Sequence, residues 1–399
     1  MTNRSAAIIL SLGSFVITLL IAEVVLAAFF PFPDPYYPHK VRPTEREYVP
    51  SSFAPHDTFH LAVEDNLPGV TGTSVFTTND VGFRGGALAR PKPENELRIF
   101  LVGGSSLECF YLDDSEVISR RLEERLTARI PAPRRARVYN SAKSGDRTFD
   151  HLAMVVHRIA HLEPDLIVVM AGVNDLRGAM IDIDYLLFRP KKERWSFTQL
   201  LRLAATEFQL PRRAYAVLRQ SSERELLEEI TLTSDIKGDV DLRRSRPVTA
   251  RAPKENLPAY VKNLHTLVSA TRGAGAELVL LTQPTTWNSK VDSRAEQWHW
   301  MTLVGGEAYR EDLMDAAMER YNDGLREVAR AHNTPLLDLS AALPKSLDFF
   351  YDDVHFNVRG ADTTASLLAD FLVDRGLTRP VGARTVVALR PASAKPRDE

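Results

Sequence analysis

Four short segments of the chain carry residue types that together could perform acyl transfer. The first is Val102-Gly103-Gly104-Ser105-Ser106. Its two glycines allow a tight turn that exposes the next side chain, and a serine there has its own backbone N–H close to a reacting carbonyl. Alone, such a serine serves equally well to cap a helix. A phosphate-cradling loop fits poorly, because neither the Walker pattern nor GxGxxG is met. The second segment is Asn140-Ser141-Ala142-Lys143-Ser144-Gly145-Asp146, where Gly145 would let the backbone approach a ligand and present an N–H. In the third, Ala171-Gly172-Val173-Asn174-Asp175, Asn174 offers a neutral amide donor that can stabilise a developing oxyanion without adding charge. Gly-x-Asn-Asp is also an ordinary turn. The fourth is Tyr351-Asp352-Asp353-Val354-His355-Phe356. An aspartate three residues before a histidine can fold back to accept the Nδ1 proton, which leaves Nε2 as a base towards a serine. A metal-binding or structural Asp/His turn is the other reading. No second ligand cluster supports a metal, and His157 and His161, one helical turn apart, read as a helix face.

Such chemistry requires the four segments to meet, and the pattern between them describes a frame that would do it. Short apolar runs at 97–102, 165–171, 277–282 and 336–339 read as buried strands, and 137–139 is a further strand candidate. Between them lie helix-like stretches at 115–128 (apolar Val117, Ile118, Leu122 and Leu126), 149–162, 260–271, 310–331 and 359–374, the last stopping at Gly376. Alternation of buried strands and helices implies a parallel sheet covered on both faces. All four segments fall just after strands or before the last helix, where such a sheet puts its ligands. About a hundred residues interrupt the third and fourth strands, with a Glu-rich piece (Glu223, Glu225, Glu228, Glu229) and a basic piece (Arg243, Arg244, Arg246, Arg251, Lys254). This insertion reads either as a lid or partner surface or as a solvated excursion.

In order, the four segments resemble the blocks of the SGNH/GDSL hydrolase superfamily, which supply serine, glycine, asparagine and a closing Asp-x-x-His. The resemblance covers about residues 92–376, with the insertion unmatched. It implies a three-layer α/β/α flavodoxin-like fold with a five-stranded parallel sheet. It also implies a serine esterase acting on acyl esters, O-acetyl esters among them, with no cofactor and no metal. Carried over by position, Ser105 resembles the nucleophile, with Asp352 and His355 completing the triad. The Ser105 N–H, Gly145 N–H and Asn174 amide resemble the oxyanion donors. Asp352 takes this role over the adjacent Asp353 on spacing. Two positions depart from the pattern: Gly104 stands where the family name implies aspartate, and Ser106 where leucine would stand. Similar Gly-Gly-Ser forms occur in anchored bacterial relatives, which the chain also resembles through Asn79-Asp80-Val81-Gly82-Phe83-Arg84. Such proteins usually hold the catalytic domain outside the cytoplasm. Two alternatives stay open: an O-acyltransferase acting on a cell-surface glycan, and a catalytically silent anchored binding protein.

The amino terminus agrees with anchoring. Residues 6–30 are apolar with one charge, Glu23, and a helix needs roughly 20 such residues to cross the hydrocarbon. A cleaved signal peptide with a cut near Ala27 or Ala28 is possible, but an uncleaved anchor better fits the length. A strict count of positive charges slightly favours a cytoplasmic catalytic domain, since Arg4 precedes the span while Lys40, Arg42 and Arg46 follow it, though at a distance behind a Pro-rich stretch that weakens their vote. The expected organisation is a transmembrane helix (1–32), a Pro-rich spacer and N-terminal extension (33–90), a hydrolase domain (91–376, insertion about 180–258) and a disordered tail (377–399). A formal charge of -2 gives no case for nucleic acid as a partner, and the single Cys109 excludes an intrachain disulfide framework. The expected partners are the membrane and a small-molecule, lipid or glycan ester. Trp287, just past the fourth strand and followed by Trp298 and Trp300, is the residue expected to line the substrate pocket.

Overall fold

A computed structural model describes residues 3–30, 53–63, 67–181, 204, 208–218, 236–288 and 293–379. Most of the expected Pro-rich spacer, the Glu-rich piece and nearly all of the expected tail lie outside the described residues. The chain opens with helix α1 (Asn3–Phe29), whose stretch Leu10–Phe29 has a mean hydropathy of 2.4. By length and composition it is suited to a membrane span or a signal sequence.

A hairpin of β1 (Thr58–Ala62) and β2 (Thr73–Thr77) follows. The central frame then runs β3 (Glu96–Gly103), α2 (Ser105–Glu108), α3 (Ile118–Arg129), β4 (Arg135–Asn140), α4 (Thr148–His157), β5 (Leu166–Met170) and α5 (Val173–Met180). The described parts of the insertion are α6 (Gln209–Leu218), α7 (Ile236–Arg244) and β6 (Val248–Thr249). The chain continues through α8 (Leu257–Gly273), β7 (Glu277–Leu281), β8 (Leu303–Val304), β9 (Glu307–Tyr309), α9 (Glu311–Ala331), β10 (Leu336–Leu337) and α10 (Val358–Asp374).

The five main strands form one parallel sheet in the order β10-β7-β5-β3-β4. In chain order this is 2-1-3-4-5, the flavodoxin-like arrangement, whose topological switch point lies between β3 and β5. The strands β3, β5 and β7 are buried on both faces, as runs without polar alternation require, whereas the edge strand β4 exposes Arg135 and Arg137. Leu97, Ile99 and Leu101 of β3 and Leu166, Val168 and Met170 of β5 point to the face covered by α3 and α10. Phe100 and Val102, with Ile167 and Val169, point to the face covered by α4, α8 and α9. The period-two alternation of a strand thus feeds two apolar layers from one run of residues.

The segment Asn79–Arg84 has a structural explanation. Asn79 Oδ1 accepts from the N–H groups of Val81 and Phe83 (3.0 Å each), which bends the chain into a turn completed by Gly82 at φ 73°. That turn aims the buried Arg84 at the loop after α2. Its guanidinium donates to the carbonyls of Cys109 (2.9 Å) and Leu112 (2.5 Å) and pairs with Asp114 (2.6 Å). The N-terminal extension therefore braces the segment immediately after Ser105.

The other end of the frame is fixed by α10. Asn357 caps it, its side chain accepting from Gly360 N at 2.9 Å, while Asn357 N donates to Phe349 O at 3.1 Å. Gly376 (φ 67°) donates to Val373 O and Leu377 N donates to Leu372 O (both 2.9 Å), closing the helix as a Schellman motif. A Cβ on Gly360 would fall 1.8 Å from Phe349 O, a backbone atom that cannot rotate away. Gly360→Ala is accordingly expected to destabilise the domain by about 3 kcal/mol or more. Urea unfolding would register this as a lower midpoint, whereas an unchanged midpoint would mean that the helix start is not fixed by this contact.

Candidate active site

Ser105 is the first residue of α2, directly after β3, and Gly104 precedes it in an extended conformation. As a first-turn residue its N–H has no intrahelical acceptor. The loop after β4 is tied down beside it. Lys143 N donates to Gly103 O (2.9 Å), Asn140 Nδ2 donates to Leu107 O (2.9 Å), and the Ser144 hydroxyl donates to the buried Glu108 carboxylate. Gly145 sits at the exposed tip of this loop with φ 84°, a conformation that favours glycine.

The turn after β5 joins the same loop through two adjacent side chains. Buried Asp175 accepts from Thr148 N (3.1 Å) and Thr148 Oγ1 (2.5 Å), and Asn174 Nδ2 donates to Asp146 O at 2.9 Å. An amide nitrogen carries two hydrogens, so Asn174 retains a second donor. A Cβ at position 104 would lie 2.5 Å from Asn174 Nδ2. In this arrangement a larger residue before the serine would have to displace the Asn174 amide, which glycine leaves in place.

The last segment folds on its own aspartate. Asp352 Oδ1 accepts from the N–H groups of Val354 (2.9 Å) and His355 (2.8 Å), while its Oδ2 lies 2.7 Å from His355 Nδ1. His355 Nε2 lies 2.7 Å from Ser105 Oγ. One carboxylate thus shapes the loop and holds the imidazole that faces the serine. Asp352 is fully buried; burial opposes its charge, but the adjacent His355 and these hydrogen bonds outweigh that and hold its pKa below the ordinary value. Burial likewise opposes an imidazolium at His355, yet the charges of Asp352, Asp353 and Glu108 and the Asp352 hydrogen bond raise its pKa above 6.5.

Ser105, Gly145, Asn174, Asp352 and His355 all line one cleft of about 240 Å³, together with Phe110, Tyr111, Arg177, Ile236, Asp239, Trp300 and Tyr351. Trp287 does not. It is fully buried, and its Nε1 donates to Asp353 Oδ2 at 3.0 Å, so the expectation that it lines the pocket is corrected. The tryptophan at the cleft is Trp300, on the segment just before β8. Its Nε1 donates to Asp352 Oδ2 at 2.9 Å, and its ring lies 13° from parallel with the His355 imidazole. Tyr351 also lies nearly parallel to that imidazole, at 10° and 5.4 Å between centroids.

Sequence reasoning passed over Trp300, Tyr351 and Arg177 as site residues. Arg177 had a local signal, since it stands one helical turn after Asn174 on α5. Tyr351 had one in its adjacency to Asp352. Trp300 had none beyond being aromatic, because it comes from a distant loop. Ile236 and Asp239 bring α7 of the insertion to the cleft. Among the described residues no group of three or more His, Cys, Asp or Glu side chains could hold a metal ion.

Asp353 turns away from His355, accepting from Trp287 Nε1 and from Met301 N (2.8 Å), while its Oδ1 is buried with no hydrogen-bond partner among the described residues. Burial and the neighbouring Asp352 charge push its pKa up from 3.8 to about 7. The folded state therefore binds this proton more tightly than the unfolded chain. Its stabilising contribution is full below the unfolded value and is lost as pH rises through about 7. Asp353→Asn keeps an acceptor for both donors and cannot ionise. Thermal melts should show the wild type losing stability between pH 5 and 8 more steeply than Asp353→Asn; parallel pH profiles would contradict this.

A family model described as GDSL-like Lipase/Acylhydrolase family matches residues 101–363. No curated protein sequence matches the chain. Among solved structures, an acetylxylan esterase from Geobacillus stearothermophilus is similar at 15% identity and TM-score 0.39, over 69% of this chain and 92% of that one. A lipase/acylhydrolase from Enterococcus faecalis is similar at 18% identity and TM-score 0.40, over 70% of this chain and 96% of that one.

Proposed function

The chain belongs to the GDSL-like lipase/acylhydrolase family and is a carboxylic ester hydrolase; from that premise we propose that it cleaves acyl esters through Ser105, His355 and Asp352. The observation that carries this reading is the 2.7 Å separation of Ser105 Oγ and His355 Nε2, with Asp352 at 2.7 Å behind the imidazole. His355 takes the serine proton as Oγ attacks the ester carbonyl, and the charge develops on the former carbonyl oxygen. The Ser105 N–H, the Gly145 N–H and the second Asn174 amide hydrogen are the donors assigned to that oxygen. His355 then gives its proton to the departing alkoxide. Water, deprotonated by the same imidazole, releases the acid from Ser105.

Cleft size and composition favour a short acyl group such as acetyl. A volume of about 240 Å³ walled by Phe110, Tyr111, Trp300 and Tyr351 suits a compact apolar substituent. The boundaries proposed are the amino-terminal helix within 1–32, a linking extension to 90 and the hydrolase domain over 91–376. We place the protein at the cell membrane with that domain outside the cytoplasm, on the resemblance of Asn79–Arg84 to anchored bacterial relatives.

A fluorophosphonate probe tests the reading, because it reacts with an activated serine. The wild type should label and Ser105→Ala should not, with hydrolysis of p-nitrophenyl acetate in that variant lower by several orders of magnitude. Folded wild-type protein that fails to label, or a Ser105→Ala variant that still labels, would overturn the assignment.

A further inference from the structure

Over Leu10–Phe29 helix α1 presents mostly bare apolar side chains, and its partly covered residues near the carboxyl end, Ala22, Glu23 and Leu26, fall on one stripe. The element beside that stripe is α6 of the insertion. The Glu23 carboxylate accepts from the N–H groups of Gln209 (2.5 Å) and Leu210 (2.8 Å). One turn further along α6, Arg213 Nη2 donates to Phe30 O at 2.6 Å.

The two helices therefore satisfy each other's ends. The first N–H groups of α6 have no acceptor within their own helix, and the last carbonyls of α1 have no donor within theirs. Glu23 supplies the acceptor at the positive end of the α6 dipole, and Arg213 supplies a donor just past the α1 carboxyl end. The same contact explains the one charge in the apolar run. A carboxylate at hydrocarbon depth is costly unless partnered, and two backbone N–H groups partner it without a second charge. From Glu23 to Phe29 the helix rises about 9 Å, so α6 starts below the end of the apolar stretch and runs outward along it. Phe208, just before α6, and Val217, near its end, are both exposed.

We propose that α6 is a membrane-embedded element docked on a retained amino-terminal anchor, so that the insertion meets the bilayer at α6 and the catalytic cleft at α7. Its occupant is a lipid surface, in continuity with the helix suited to span it. Cleavage near Ala27 or Ala28 would remove Glu23 and with it the cap of α6. This inference rests on the membrane placement proposed above and is independent of the hydrolytic mechanism.

The test uses the full chain in phosphatidylcholine–phosphatidylglycerol vesicles, with an environment-sensitive nitrobenzoxadiazole label on Phe208→Cys or Val217→Cys. Native Cys109 is buried with its thiol pushed up to about 12, so it should not compete for the label. Val156→Cys, exposed on α4, reports water. The labels at 208 and 217 should emit at shorter wavelength than the label at 156 and resist quenching by aqueous iodide. Adding Glu23→Leu should make both quenchable while ester hydrolysis is unchanged. Membrane-bound protein whose 208 and 217 labels quench like 156 would overturn the docking of α6 alone. A soluble mature protein beginning near residue 28 would overturn the membrane placement as well.

Discussion

Asp352 is a carboxylate with no exposure to water, and a charge so placed persists only if its oxygens are fully served. Four donors serve it: the N–H groups of Val354 and His355, the His355 imidazole and the Trp300 indole. Two come from its own turn, one from the side chain it positions, and one from a loop fifty-two residues earlier. Each contact removes a freedom that the site could not tolerate. The turn sets where His355 leaves the backbone, and the Nδ1 contact sets the ring's tautomer and direction. The Trp300 contact fixes the segment before β8 against the cleft. A neutral residue at 352 would leave all four donors competing for a poorer acceptor, and the loop and the imidazole would loosen together.

The sheet brings the partners of this carboxylate within reach. Because β3 and β5 are neighbours in the 2-1-3-4-5 order, the segments after them emerge side by side, and the loop after β4 closes from the other flank. Asn174 and Asp175 then bind that loop through Asp146 and Thr148, and Glu108 binds it through Ser144. The Ser105 turn is thereby held between elements that are themselves hydrogen-bonded to one another. Arg84 adds the N-terminal extension to this bracing, through the carbonyls that follow α2.

Much of this was legible in the sequence because it depends on local pattern. Unbroken apolar runs marked the strands, Gly376 marked the end of α10, and the Asp-x-x-His spacing matched a turn that an aspartate makes with its own backbone. The flavodoxin-like order came from resemblance to a family, since strand pairing is non-local and leaves no trace in periodicity. The tryptophans show the limit most clearly. Trp287 follows a strand end, and by position should face the cleft, yet its indole turns inward to Asp353. Trp300 sits on a loop with no positional signal, between β7 and β8, and reaches Asp352 through its indole N–H. The choice between Asp352 and Asp353 could be made on spacing alone. What Asp353 does instead, binding Trp287 and Met301, could not.

The central claim is that Ser105 itself takes the acyl group from the substrate. Mixing the protein with excess p-nitrophenyl acetate, quenching in acid and mapping the acetyl group by peptide mass spectrometry addresses that step without inference from rates. The acetyl group trapped on the chain should lie at the hydroxyl of Ser105, with none in Ser105→Ala. An acetyl group trapped on another side chain, or turnover undiminished in Ser105→Ala, would contradict the claim.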